Sequence, residues 1–347
     1  MLSFLFAASS PASADAVDDA IRTAMSAQKI PGLALAIVSQ GKPARIRCYG
    51  LANLEWNVPV GEDTIFQSGS VGKQFTASLV MLLVRDGKIG LDDPIDKYLR
   101  PASPHWKDVK VRHLLTHTAG ISNKLYNQID LRKDYSEDEL ARKIGEVPLD
   151  FPPGSKWMYS NPGYVLLGIL IHKATGSFYG DLLKERILVP AGMTTARIIS
   201  EPDIVPRRAA GYQLVDKEIK NQDYVSPTLN TTADGSLYLT SRDMIRWDEA
   251  LRGEKLLTRA ELQTMWTPTK LTSGFTVPYG FGWAVIEVNG HPHLVEHDGA
   301  WQGFTTHIAR YIDDKLTVIV LMNSANAHPA GIAHKVARIV RGDRKRK

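Results

Sequence analysis

A single cysteine, Cys48, serves a chain of 347 residues. One thiol can neither close an internal disulfide nor build a cysteine-ligated metal cluster. It lies in Ile46-Arg47-Cys48-Tyr49, where strand alternation sets it beside Ile46 on an apolar face, as filler. After the first residues no stretch approaches the roughly 20 apolar residues of a membrane span, so no integral membrane segment is expected. There is no repeat, no low-complexity tract, no P-loop, no dinucleotide fingerprint and no G-x-S-x-G. Those absences argue against nucleotide-driven chemistry and the ordinary α/β-hydrolase arrangement. Strong charge of one sign is missing too: 42 Lys and Arg face 37 Asp and Glu, and the tail Arg341–Lys347 (R-G-D-R-K-R-K) supplies four of the five net positive charges. A neutral body with a basic tail reads as a solvated end, and no nucleic-acid partner is expected.

What is present is an ordinary globular composition, 44% apolar and 23% charged, in a chain long enough for ample core. Met1–Ala14 (M-L-S-F-L-F-A-A-S-S-P-A-S-A) resembles the end of a secretory signal, with A-x-A at Ala12-Ser13-Ala14 but no basic n-region. Export to the periplasm or the medium is the corresponding expectation. Asp15–Gln28 reads as an amphipathic helix, Leu33–Ser39 and Ala44–Tyr49 as strands. From Ser70 to about Gly192 the signals are mostly helical, with a capping box at Ser136 and Glu139 and a helix over Pro162–Thr175. Ser241 and Thr258 are placed to cap two further helices. Strands return at Gly282–Val288 and His293–His297 around Asn289-Gly290, then at Thr305–Ile312 and Leu316–Met322; Pro329–Val340 closes as a helix. Strands at both ends with helices between predict an α+β fold: an antiparallel sheet from the N- and C-terminal segments, flanked by helices, with a mostly helical inserted lobe. The division expected is a leader over 1–14, one domain over 15–341 and a basic tail over 342–347. Within the domain the sheet lobe takes about 15–64 and 236–341, the helical lobe about 65–235. The junction of the lobes is a natural cleft.

Chemistry first shows at Ser70-Val71-Gly72-Lys73. Val71–Val84 is apolar on nearly every face, which predicts a buried helix, and a lysine in its first turn needs a partner or a lowered pKa. Spaced i and i+3, the Ser70 hydroxyl and the Lys73 amine can meet at a helix N-terminus, which activates a serine without histidine. A serine opening a helix is also, commonly, an N-cap. Asn161 before Pro162 reads as an N-cap as well, and Tyr159 as a core aromatic. Functionally, Tyr159 becomes a phenolic base lowered by a nearby ammonium, and Asn161 a substrate-orienting amide. His297-Asp298-Gly299-Ala300 reads either as a turn between strands or as a strand edge that glycine opens to a substrate backbone. His293 and His297 would stand roughly 13 Å apart on a strand, too far for one ion, and His291 flanks a turn, so a metal site is rejected and none is expected. His117, in L-L-T-H-T-A-G-I, reads as a structural hydrogen-bond partner.

Taken in order, F-Q-S-G-S-V-G-K (66–73), L-L-T-H-T-A-G-I (114–121), P-P-G-S-K-W-M-Y-S-N-P-G-Y (152–164) and H-D-G-A-W-Q-G-F (297–304) resemble the serine β-lactamase and penicillin-binding protein superfamily. Its class C-like branch of esterases, DD-peptidases and D-aminopeptidases is nearest, and A-D-G-S-L-Y-L-T-S-R-D-M (233–244) also fits. The resemblance implies a β-lactamase-like fold and a metal-free, cofactor-free serine hydrolase that works through an acyl-enzyme. It implies that Ser70 is acylated, that Lys73 and Tyr159 share its proton, and that Asn161, His297 and Gly299 meet substrate. The N–H groups of Ser70 and Ala300 would form the oxyanion hole. Two positions depart from the pattern. His297-Asp298-Gly299 replaces the usual Lys-Thr/Ser-Gly, which weakens capture of a β-lactam carboxylate, the more so if Asp298 faces the cleft. Asp234-Gly235 stands where many relatives have two glycines. Small esters or amides are the first expected substrates; a D-stereospecific peptidase comes second and a true β-lactamase third. The contrasting class is a non-enzymatic sensor.

Overall fold

The structure is a computed structural model, and it describes residues 12–39, 42–101, 103–198 and 203–345. Most of the leader expected over 1–14 lies outside these residues; Ala12–Ala14 begin the first helix, Ala12–Gln28.

The seven-stranded sheet is built from both ends of the chain. Its order is Ala284–Val288, His291–Trp301, Phe304–Tyr311, Leu316–Met322, Gly32–Ser39, Lys42–Asn53 and Val58–Pro59, and each neighbouring pair is antiparallel. The N-terminal strand Gly32–Ser39 sits beside Leu316–Met322, with Leu33 opposite Met322 and Ser39 opposite Leu316. Alternation divides it between two cores. Leu33, Leu35 and Ile37 pack with Val17, Ile21, Ile332 and Val336 of the two terminal helices, Ala12–Gln28 and Pro329–Lys345. Ala34 and Ala36 face the larger core, with Phe75, Leu79 and Trp247. Strands covered on both faces explain the near-continuous apolar runs. At Asn289 (φ 52°) and Gly290 (φ 74°) the hairpin takes the left-handed pair that an Asn-Gly turn suits.

Helix Lys73–Arg85 is buried over its first eleven residues, and Phe75 stacks on Trp247 at 4.3 Å between ring centres. Trp247 belongs to helix Ser241–Arg252, which is capped by Thr240 rather than by Ser241: the Thr240 hydroxyl accepts from the Asp243 N–H while the Asp243 carboxylate returns to the Thr240 N–H. A β-branched residue just after strand Leu237–Leu239 fits the extended φ/ψ of the cap and completes a capping box, which Ser241 could not. On the inner face of this helix Asp248 is fully buried and holds two groups of the sheet and one of its own helix. Its Oδ1 accepts from Arg310 Nε (2.8 Å) and Thr317 Oγ1 (2.7 Å), its Oδ2 from Arg252 Nε (2.6 Å).

Candidate active site

Ser70 lies in a 3-10 turn, Gly69–Gly72, that leads into helix Lys73–Arg85, so it does not cap the helix with its side chain. The turn exists because glycine takes φ +51° at Gly69 and because strand His291–Trp301 comes close. A Cβ on Gly69 would stand 2.5 Å from the Ala300 nitrogen, and one on Gly299 only 2.0 Å from the Ser68 carbonyl oxygen. Both positions therefore require glycine. Pairing with Ala284–Val288 ends at Glu296, and the Ser68–Val71 turn packs where that partner strand stops. His297-Asp298-Gly299-Ala300 is thus strand, paired on its other side through Trp301, and not a turn.

Lys73 is fully buried. Its Nζ reaches Ser70 Oγ (2.9 Å), Asn161 Oδ1 (2.8 Å) and the Asp234 carbonyl oxygen (2.6 Å). The Asp234 backbone is thereby part of the lysine's setting, a role the sequence did not suggest. Burial lowers the Lys73 pKa to about 8, the Asp234 charge opposing the drop in part. An ammonium would use all three partners as acceptors. A neutral amine would donate to the two carbonyl oxygens and offer its lone pair to the Ser70 hydroxyl, so both ionisation states find partners here.

Asn161 is free to meet Lys73 because it is not the N-cap. Ser160 caps helix Asn161–Thr175, its hydroxyl accepting from the Gly163 N–H at 3.2 Å. Asn161 is instead the first helical residue, half-buried, with its side chain directed at the lysine. The Tyr159 ring lies 4.9 Å from Lys73 Nζ. Its pKa is not lowered as the phenolic-base reading requires. Burial drives it up, the charges of Asp234 and Asp298 add to that, and the Ser70 hydroxyl offsets only part. Tyr159 is a neutral phenol across the physiological range.

His117 and Tyr279 complete the arrangement, and Tyr279 had no local signal at all. His117 adopts φ +59° just after helix Val111–Leu115, which turns its ring under Tyr159, 4.2 Å between centres. Its Nδ1 accepts from the Ser160 N–H (3.1 Å), so Nε2 carries the proton and donates to Tyr279 Oη (3.2 Å). Tyr279 donates in turn to His297 Nε2 (2.8 Å), whose Nδ1–H goes to the Asp298 carbonyl oxygen (2.5 Å). Both histidines are buried and neutral: burial, then the Lys73 charge, lowers His297 to about 4 and His117 well below its ordinary value. His297 therefore stands beside Tyr159 as a bonded neutral ring, not as a free anion binder. The Asp298 carboxylate points to the opposite face from His297, onto His307 Nδ1 at 2.8 Å, as its place one residue along the strand dictates. Tyr279→Phe is expected to cost about 1–3 kcal/mol by orphaning the His117 N–H; a denaturant midpoint equal to wild type would contradict this chain of hydrogen bonds.

Ser70, Lys73, Tyr159, Asn161, His297, Gly299 and Ala300 thus converge on one cluster from three parts of the chain. The Beta-lactamase family model matches residues 17–341. Penicillin-binding protein 4* of Bacillus subtilis (strain 168) is 32% identical over 291 residues, covering 79% of this chain and 64% of that protein. A D-aminopeptidase of Gluconobacter oxydans (strain 621H) is 26% identical over 325 residues, covering 88% of this chain and 58% of the other. The chain therefore spans less than two thirds of the length of either relative. Among solved structures, an octameric penicillin-binding protein homologue from Pyrococcus abyssi superposes with a TM-score of 0.81 at 28% identity, over 95% of this chain and 77% of that one. With the family match running from the first helix to the last, the chain belongs to the β-lactamase family.

Proposed function

We propose that this chain is a serine hydrolase that turns over small esters or amides through an acyl-enzyme on Ser70. The observation that carries the reading is the contact of Lys73 Nζ with Ser70 Oγ at 2.9 Å, inside a site whose burial holds the amine near pKa 8. In this reading neutral Lys73 takes the Ser70 proton as Oγ bonds to the substrate carbonyl carbon. The N–H groups of Ser70 and Ala300 receive the oxyanion. As the carbonyl–heteroatom bond breaks, Tyr159 gives its proton to the leaving group and regains one from the Lys73 ammonium. Water then attacks the ester carbonyl, and the same groups return the proton to Ser70. Asn161 holds the acyl side of the substrate while keeping Lys73 in place.

His297, neutral and bonded to Tyr279, supplies no positive charge for a β-lactam carboxylate, which supports esters and amides over β-lactams. The second reading, a D-stereospecific aminopeptidase, is favoured by the name of the Gluconobacter relative. Acid quenching during turnover of p-nitrophenyl acetate, followed by peptide mapping, is expected to find the acetyl group on Ser70. Turnover with no acyl group on that peptide would sink the assignment. A panel of short esters, D-amino-acid amides, D-Ala-D-Ala peptides and a chromogenic cephalosporin should give its highest kcat/KM on esters; preference for D-amides selects the second reading, and labelling without turnover selects a sensor.

A further inference from the structure

We propose that Glu296, His307 and His334 form a site for a divalent transition-metal ion of the zinc class, on the side of the sheet away from Ser70. Parity creates the site. Glu296 and Asp298 share one face of strand His291–Trp301, and Asp298 lies directly opposite His307 in the ladder. His334 arrives from helix Pro329–Lys345, which covers that face. One ligand atom from each of the three residues falls within 4.8 Å of the others. Glu296 Oε2 is 2.6 Å from His334 Nε2 and 3.3 Å from His307 Nε2. Ligand atoms around tetrahedral zinc stand roughly 3.3 Å apart, so the first pair must open while the second already matches.

A second observation points the same way. The Asp298 carboxylate accepts from His307 Nδ1, which leaves Nε2 as the nitrogen aimed into the cluster. That atom is buried on a ring only 1% exposed, and it faces the Glu296 carboxylate at 3.3 Å without meeting hydrogen-bond geometry. A buried ring nitrogen facing a carboxylate oxygen calls for a cation between them, either a metal ion or a proton. The Asp298–His307 pair is also the outer carboxylate that orients a metal-binding imidazole. Two imidazoles and one carboxylate suit zinc, cobalt, nickel or copper over magnesium or calcium, and a water would complete four-coordination. Glu296 and His334 are only half-buried, which provides an entry path. The rival cation is a proton on His307 Nε2.

The test uses the whole chain, stripped with EDTA and titrated with Co²⁺ for its visible spectrum and Zn²⁺ for calorimetry. Wild type is expected to bind one ion with imidazole ligation. Glu296→Gln and His334→Ala should weaken binding by tenfold or more, and Asp298→Asn by about tenfold. His293→Ala, away from the cluster, and Ser70→Ala should bind as wild type does, which separates this site from the proposed reaction. Zn²⁺ should raise the melting temperature of wild type and leave that of His334→Ala unchanged; the half-exposed helical position tolerates alanine. Equal affinity in wild type and His334→Ala, or no binding at submillimolar metal, would overturn the proposal and leave the proton as the sole occupant.

Discussion

Lys73→Met should lose at least about three orders of magnitude in kcat/KM on p-nitrophenyl acetate. The lysine is the base of the proposed reaction, and methionine keeps its length and apolar stem without an amine. Wild-type kcat/KM should rise with pH through an apparent pKa near 8, because only the neutral amine accepts the Ser70 proton and roughly a tenth of it is neutral at pH 7. His297, held at about 4, adds no limb near pH 6.5. Stability moves in the same direction. The folded lysine titrates near 8 and the unfolded one near 10.5, so between those values the unfolded chain binds more protons and stability climbs with pH. Below pH 8 both states are protonated and the whole cost of the buried charge, about 3 kcal/mol, is present. Lys73→Met removes that cost but strands the Asn161 and Asp234 oxygens, so its melting temperature should stay close to that of wild type. Residual activity within tenfold of wild type, or a persistent limb at pH 8, would remove Lys73 from the mechanism.

Asp248→Asn carries the largest expected loss of stability, about 3–5 kcal/mol, without touching the residues around Ser70. Arg310 is buried, and burial lowers its pKa while Asp248 holds it up. The amide preserves shape and one acceptor but leaves the guanidinium without a counter-charge in the interior. Exposed pairs such as Arg142 with Glu146, each more than half exposed, contribute at most about 1 kcal/mol. For Asp248 itself burial pushes the pKa up, but Arg310 and Arg252 outweigh it and the carboxyl ends below its usual value. Its stabilisation is therefore complete above the unfolded carboxylate range near 3.8 and fades as pH falls through the lower folded value. A urea midpoint for Asp248→Asn within error of wild type would show that the network contributes little.

Local chemistry was readable from the sequence where one segment determines it. The Asn289-Gly290 turn, the Ser136 capping box, the Thr258 cap and the buried helix after Ser70 all appear in the structure. The misread positions are those where two segments compete. Ser160 and Asn161 are both good caps, and the outcome turned on Lys73, 88 residues away, needing an acceptor. The direction of the Tyr159 shift depended on whether burial or a neighbouring ammonium dominates, a balance that spacing does not encode. Tyr279 reaches His117 across 162 residues with no motif at either end. The Glu296, His307 and His334 cluster escaped for the same reason: the visible trio His291, His293 and His297 lay on one strand, while the residues that meet come from two strands and a helix.

The central place of Gly32–Ser39 has a consequence for synthesis. This strand leaves the ribosome early, yet its partner Leu316–Met322 follows roughly 290 residues later, some 15–60 s at ordinary elongation rates. Until then an edge of Leu, Ile and Val stands without its neighbour. Ser70, Lys73, Tyr159 and Asn161 are made long before then, whereas the strand bearing His297 to Ala300 is finished only shortly before Leu316. Catalytic competence should therefore arrive abruptly with the last strands, and chains cut before Leu316 should aggregate rather than accumulate as inactive monomers.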